Sequence, residues 1–134
     1  MLGAWKLYQG GQTTPIWIIN LSDLKVEKIP RENSNDSNPM WVGDKIYFLS
    51  DRNGPVSLFV YDLATKRVGQ ALANDGLDFK SAAAGPGGIV VEQFGALHLF
   101  DPASGAARPL SISLDGDLPE VRPRYVKAGE RIAA

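Results

Sequence analysis

Leu58-Phe59-Val60-Tyr61-Asp62-Leu63 is one of three copies of a single pattern. Ile16-Trp17-Ile18-Ile19-Asn20-Leu21 stands 42 residues before it, and Leu97-His98-Leu99-Phe100-Asp101-Pro102 stands 39 residues after it. Each copy is an apolar run that ends in Asn, Asp or Asp at the fifth position. Self-similarity at about 40–50 residues, with several short strands per unit, is the pattern of propeller blades.

The neighbours of the three copies also match. An apolar strand precedes each: Ala4-to-Tyr8, Lys45-to-Leu49 and Ile89-to-Val91. A Gly-bearing turn separates the two: Gly10-Gly11, Asp51-Arg52-Asn53-Gly54 and Gln93-Phe94-Gly95. A polar turn and a weaker strand follow: Val26-to-Ile29, Arg67-to-Leu72 and Ala107-to-Leu110. Turn residues at fixed offsets between strand runs predict hairpins. The side chains of Asn20, Asp62 and Asp101 suit strand ends, because an Asx oxygen accepts a hydrogen bond from the N–H two residues on and starts a turn.

Ile16-to-Ile19, Ile46-to-Leu49, Leu58-to-Tyr61 and Ile89-to-Val91 do not alternate apolar with polar residues. A strand wet on one face would alternate, so these are expected to be covered on both faces. Lys25-to-Ile29 and Arg67-to-Gln70 read as polar outer strands. Pro39-to-Val42 and Asp78-to-Ala84 fit the innermost strand of the second and third units. Ser81-Ala82-Ala83-Ala84 is the one helix-friendly stretch, and Gly85-Pro86-Gly87-Gly88 stops it.

Composition agrees with many short elements. Gly (14) and Pro (9) make up about 17% of the 134 residues, against a usual ~12%. Hydrophobic residues at 44% and charged residues at 22% describe a folded globular chain. The net charge of −1 lacks the basic surplus of a nucleic-acid module. With no Cys, disulfides and Cys-ligated zinc are excluded. No apolar run approaches the ~18 residues of a membrane span. Met1-to-Lys6 lacks the pattern of a signal peptide, so a cytoplasmic location is expected, with a periplasmic one open.

The expected fold is all-β: an incomplete β-propeller, residues 1–134, of about three four-stranded antiparallel blades. The blades are placed at roughly 1–30, 39–72 and 78–113, with an extra strand region at 121–134. The first blade lacks an innermost strand and the end of the chain carries a surplus. Propellers usually need four or more blades to close, so the chain reads as an arc. A homodimer completing a ring is one way to close it.

The stretch Asn38-Pro39-Met40-Trp41-Val42-Gly43-Asp44 through Ser50-Asp51-Arg52, followed by Leu58-to-Leu63, resembles the WD-like repeats of the tricorn protease and TolB propeller families. Trp5-to-Gly11 and Asp117-to-Val126 look closer to tricorn than to TolB. The third repeat departs from the pattern: Lys80-Ser81-Ala82 stands for Pro-x-Trp and Glu92-Gln93-Phe94 for Ser-Asp-Arg. The resemblance implies a non-catalytic propeller segment of a tricorn-like serine peptidase, a channel, filter or scaffold for peptides. The family's catalytic serine and histidine belong to domains outside this chain, so no catalytic residue carries over. The alternative is a TolB-like or WD-like module that binds a protein partner on its rim.

The remaining candidates read as structural. Asp51 and Arg52 suit a turn held by side chain to backbone bonds, and Trp41 suits a wedge between blades. His98, the one histidine, sits mid-strand, and no G-x-S-x-G elbow is present. Asn33-to-Asn38 lacks the Gly and terminal Glu of a calcium loop and is expected to be a solvated loop; Asp115-Gly116-Asp117 is expected to be a turn. Gly85-to-Gly88 lacks phosphate-loop spacing. The sequons at Asn20 and Asn35 require a secretory pathway. Arg122, Arg124, Lys127 and Arg131 suit an arm tied to nearby carboxylates, with an anion or peptide-carboxylate contact as the alternative. No catalytic, cofactor or metal site is expected, and neither a nucleic-acid nor a membrane partner.

Overall fold

The structure is a computed structural model that describes residues 10–11, 13–74, 76–113 and 115–116, together with Pro123, Tyr125, Lys127 and Gly129. The strand expected at Ala4-to-Tyr8 lies outside the described residues. So does the surplus strand region at 121–134, apart from those four isolated positions.

Among the described residues ten strands form three antiparallel sheets. β1 (Trp17–Ile19) pairs with β2 (Val26–Lys28). β3 (Asp36–Val42), β4 (Lys45–Ser50), β5 (Ser57–Asp62) and β6 (Arg67–Leu72) meander in chain order. β7 (Phe79–Gly85), β8 (Gly88–Gln93), β9 (Ala96–Phe100) and β10 (Ala107–Leu110) repeat that meander. The fold is the all-β one expected. Ser81-to-Ala84, with its local helix preference, lies within β7: pairing with β8 overrides propensity.

The missing alternation has its cause in the middle sheet. β4 is buried on both faces from Ile46 to Ser50. Ile46 and Phe48, with Phe59 and Tyr61 of β5, pack on Ile16 and Ile29 of the first sheet. Tyr47, Leu49 and Leu58 point the other way and meet Phe79, Ala82, Ile89, Val91 and Phe100 of the third sheet. A middle blade therefore has two cores and no wet face.

The first sheet differs from that expectation. Ile16 is buried and Ile18 packs on the same core, but Trp17 and Ile19 are 58% and 56% exposed. Among the described residues no sheet lies across their face; the Lys28 ammonium stands 5.7 Å from the Trp17 ring centre. Trp41 is a second correction. It is 62% exposed and donates its indole N–H to the Gly43 carbonyl at 3.0 Å rather than wedging between blades. It shares a face with Ile46, toward the first sheet. Among the described residues that sheet has only β1 and β2, which cover β4 and β5 but not β3.

The strand-end turns form as expected. Asn20, Asp62 and Asp101 each accept from the N–H two residues on, at 2.9, 3.0 and 2.9 Å. Each turn then needs a left-handed residue four positions after the Asx: Leu24 (φ 55), Lys66 (φ 58) and Gly105 (φ 73). Only the third copy meets this with Gly; the other two hold an L-residue where left-handed backbone costs about 1–2 kcal/mol. Among the described glycines from Gly11 onward, Gly88 is the one demanded by a close approach. A Cβ there would lie 2.5 Å from the Phe100 carbonyl oxygen, at φ 131.

β3 starts at Asp36, three residues before the expected Pro39. Asp36 pairs with Ser50, and a bulge between Ser37 and Met40 absorbs Pro39. Asn38 takes φ 50 there. Proline is tolerated because β3 is an edge strand.

Candidate functional site

The charged residues singled out in the sequence converge at one end of the second sheet. Arg52 Nη2 reaches both Asp36 carboxylate oxygens, at 3.0 and 3.1 Å. Its Nε donates to Ser50 Oγ at 3.0 Å and its Nη1 to the Pro30 carbonyl at 3.2 Å. The guanidinium lies 5.0 Å from the Phe48 ring centre and 5.1 Å from that of Phe59. The Asp36 side chain is wholly buried, so this is an internal ion pair roofing a core. Ser34 adds its hydroxyl to Asp36 at 3.2 Å.

Asp51 works beside it. Its carboxylate accepts from the Asn35 backbone N–H at 2.7 Å and from Asn35 Nδ2 at 2.9 Å. Arg31 caps the same linker through the Ser34 carbonyl and Thr13 Oγ1. Ser34 and Asp36 are buried, which corrects the reading of Asn33-to-Asn38 as a solvated loop. The Asn35 sequon is likewise used internally. The Asp51-Arg52 pair does more than hold its own turn: it fastens the linker between the first and second sheets.

The third sheet explains its own departure from Ser-Asp-Arg. Phe79 pairs with Gln93 as Asp36 pairs with Ser50. Phe79 N donates to Val56 O as Asp36 N donates to Thr14 O. Phe79 thus holds the Asp36 position and is buried in the core; Gln93 holds that of Ser50 and Gly95 that of Arg52, which moves the expected match of Glu92-Gln93-Phe94 to Ser-Asp-Arg by one residue. Without a carboxylate to neutralise, the blade has no use for the arginine. The trace this leaves in the sequence, missed in reading Asn33-to-Asn38 as a solvated loop, is that both charges are present in one repeat and both absent from the next.

A second polar contact joins the first two sheets. Glu27 of β2 accepts the Tyr61 phenol proton and pairs with Lys66 Nζ at 2.7 Å. Hydrogen bonds from Lys66 and then Tyr61 hold the Glu27 carboxyl below its usual 4.5. Burial first, and Glu27 second, push the Tyr61 phenol up to about 12. A phenol raised on folding contributes stability that is complete below pH ~10 and lost as pH climbs toward 12. Thermal melts between pH 9 and 12 should therefore show a steep decline that is shallower in Tyr61→Phe. Burial also raises Tyr47, so part of the decline persists. Equal slopes in the two proteins would refute this assignment.

The other candidates stay apart. His98 lies half-buried in β9 between Val91 and Pro109. Gly85 and Gly88 close the β7–β8 hairpin. Among the described residues no group of three or more His, Cys, Asp and Glu could hold a metal ion. No helix among them is long and apolar enough to cross a membrane. Arg122, Arg124 and Arg131 lie outside the described residues, and Lys127 is exposed.

The two four-stranded sheets meet most closely along their first strands. β3 runs near β7, and Asn38 Nδ2 donates to the Ala82 carbonyl at 3.3 Å. Each is an edge strand, so each turns one side of its backbone away from its own sheet. Ser37, Asn38, Lys80, Ser81, Ala83 and Ala84 are exposed along them. Sheets that converge on their first strands are radial blades, with those strands innermost.

The family model described as the tricorn protease N-terminal beta propeller domain matches residues 2–106. The chain belongs to this propeller family. It is 30% identical over 126 residues to a tricorn protease homolog of Saccharolobus solfataricus, covering 94% of this chain and 12% of that protein. Tricorn protease homolog 1 of Streptomyces coelicolor is 32% identical over 114 residues, 84% of this chain and 11% of its own length. The crystal structure of the tricorn protease superposes with a TM-score of 0.73 at 25% identity, over 85% of this chain and 11% of that one. This propeller segment therefore spans about an eighth or less of the relatives it matches, and the match is to their propeller.

Proposed function

We propose that this segment is part of the wall of a peptide-conducting propeller that serves a separate peptidase site and performs no cleavage itself. The observation that carries the reading is the convergence of β3 and β7, within a chain that matches the propeller of proteins named as proteases. Apart from Pro39 and the exposed Trp41 on β3, an inner wall of Ser37, Asn38, Lys80, Ser81 and small alanines offers hydrogen bonds and one positive charge but little apolar grip. Such a wall suits passage: contacts with a peptide form and break without a deep minimum. Selection would then be by width and charge.

Amide shifts on adding random octapeptides test this. The expected result is weak binding, with Kd of about 1 mM or above, shifts concentrated on β3 and β7, and intact peptides by mass spectrometry. A second reading, a rim that binds a protein partner, is favoured by Phe94. This residue is 83% exposed at φ 50 in the β8–β9 turn, and the preceding Gln93 donates to the carbonyl of Leu77, itself 50% exposed. An exposed aromatic held in strained backbone is a common mark of a binding loop. Shifts confined to the Phe94 turn would replace the channel reading with the rim reading, and cleaved peptides would overturn both.

A further inference from the structure

The β4–β5 loop carries a reactive pair that neither the ion pair nor the cores use. Asn53 is followed by Gly54, and this is the one Asn-Gly step in the sequence. An asparagine amide is open to attack at Cγ by the backbone nitrogen of the next residue. A side chain on that next residue obstructs the approach, and glycine has none. The loop is also open there: a Cβ on Gly54 would meet no heavy atom within 4 Å.

The other asparagines are shielded. Asn38 precedes Pro39, which has no N–H to give up. Asn33 and Asn35 precede Ser34 and Asp36, whose side chains obstruct the attack. Asn20 and Asn74 have side chains committed to hydrogen bonds. Asn53 is exposed, and its side-chain amide bonds to no described residue. One bond restrains the attacking nitrogen: Gly54 N donates to the Asp51 carbonyl at 3.0 Å. A single turn bond on an exposed loop opens far more readily than a ladder bond inside a sheet.

We propose that Asn53 is a site of spontaneous deamidation whose products loosen the Asp36–Arg52 ion pair. Gly54 N forms a bond to Asn53 Cγ and gives up its proton, and the side-chain nitrogen leaves as ammonia. Water then opens the succinimide at either carbonyl, giving aspartate or isoaspartate. Isoaspartate routes the backbone through Cβ and makes it one atom longer, so the turn that returns Gly54 N to Asp51 O falls out of register. Either product sets a new carboxylate beside Arg52, whose guanidinium already pairs with Asp36 at 3.0 Å. Asp51, on the other side of Arg52, holds Asn35 through its own carboxylate. A slow chemical change in this loop therefore acts on the linker between the first and second sheets.

Ageing the purified chain at about pH 8 and about 37 °C tests this. Chymotryptic mapping should show the peptide of residues 50–58 gaining about 1 Da, at about ten times the rate of any other asparagine or more. An isoaspartyl methyltransferase should transfer label from S-adenosylmethionine to the aged chain. Asn53→Gln should gain neither the mass at this peptide nor the label, because glutamine must close a larger ring. The acidic form, separated by ion exchange on its added negative charge, should melt about 2–8 °C below the fresh chain. In Arg52→Ala combined with Asp36→Asn the ion pair is already gone, and ageing should leave the melting temperature unchanged. Modification of residues 50–58 no faster than at the other asparagines would overturn the site. An acidic form as stable as the fresh chain, or an equal fall in the doubly substituted chain, would overturn its action on the ion pair.

Discussion

Replacing Arg52 by Ala should cost about 3–5 kcal/mol of folding stability, the toll of leaving one partner of a buried ion pair behind. The loss falls on Asp36, whose side chain is wholly buried and whose strongest partner is this guanidinium. Ser34 supplies it with one further hydroxyl. The variant also uncovers the faces of Phe48 and Phe59 and releases the Pro30 carbonyl. A domain of this size holds roughly 5–15 kcal/mol in total, so the urea midpoint should fall by about a fifth or more. Adding Asp36→Asn to Arg52→Ala should restore much of the loss, since the orphaned charge is then gone. Arg52→Lys should fall between, because one ammonium cannot reach Ser50, Pro30 and Asp36 together. A loss under ~1 kcal/mol for Arg52→Ala would show that Asp36 is not held by this pair.

Phe48→Ala should cost a comparable amount, about 3–5 kcal/mol, through lost burial and the cavity left behind. Phe48 is fully buried between the first and second sheets and stacks on Phe59 at 6.2 Å between ring centres. The damage should be uneven. A two-stranded sheet is marginal alone, and β1–β2 is held to the rest through Ile16, Ile18 and Ile29 on this core. Hydrogen exchange should show β1 and β2 losing protection before β8 and β9. Uniform loss across all three sheets would mean that the sheets unfold as one unit. The two substitutions should not add, because Arg52 lies on the ring that Phe48→Ala removes.

Strand order, hairpin turns and the blade repeat were legible because their causes are local. The Asx side chains of Asn20, Asp62 and Asp101 act on N–H groups two residues away, so each turn is written where it occurs. The all-apolar runs of β4 and β5 likewise announced two buried faces. What stayed hidden was long-range. Asp36 lies in a stretch of Asn and Ser that looks solvated, and its partner is 16 residues away across a strand. Leu24 and Lys66 hold left-handed backbone that neither residue type favours; only the third copy, with Gly105, shows the need. Trp41 sits in the Pro-x-Trp motif, yet its exposure depends on what faces β3.

From the sequence alone follow a chain of β-hairpins, its division into three aligned units and its kinship to tricorn-type propellers. These rest on turn chemistry and on the period of the apolar residues, which act over a few positions. The tertiary structure decided which faces the described residues cover: two for the middle sheet, one for Ile16-to-Ile19, and full burial for the carboxylate of Asp36. Burial is a property of neighbours brought together by folding. The same apolar run is a core strand where a second sheet lies across it and an open face where none does.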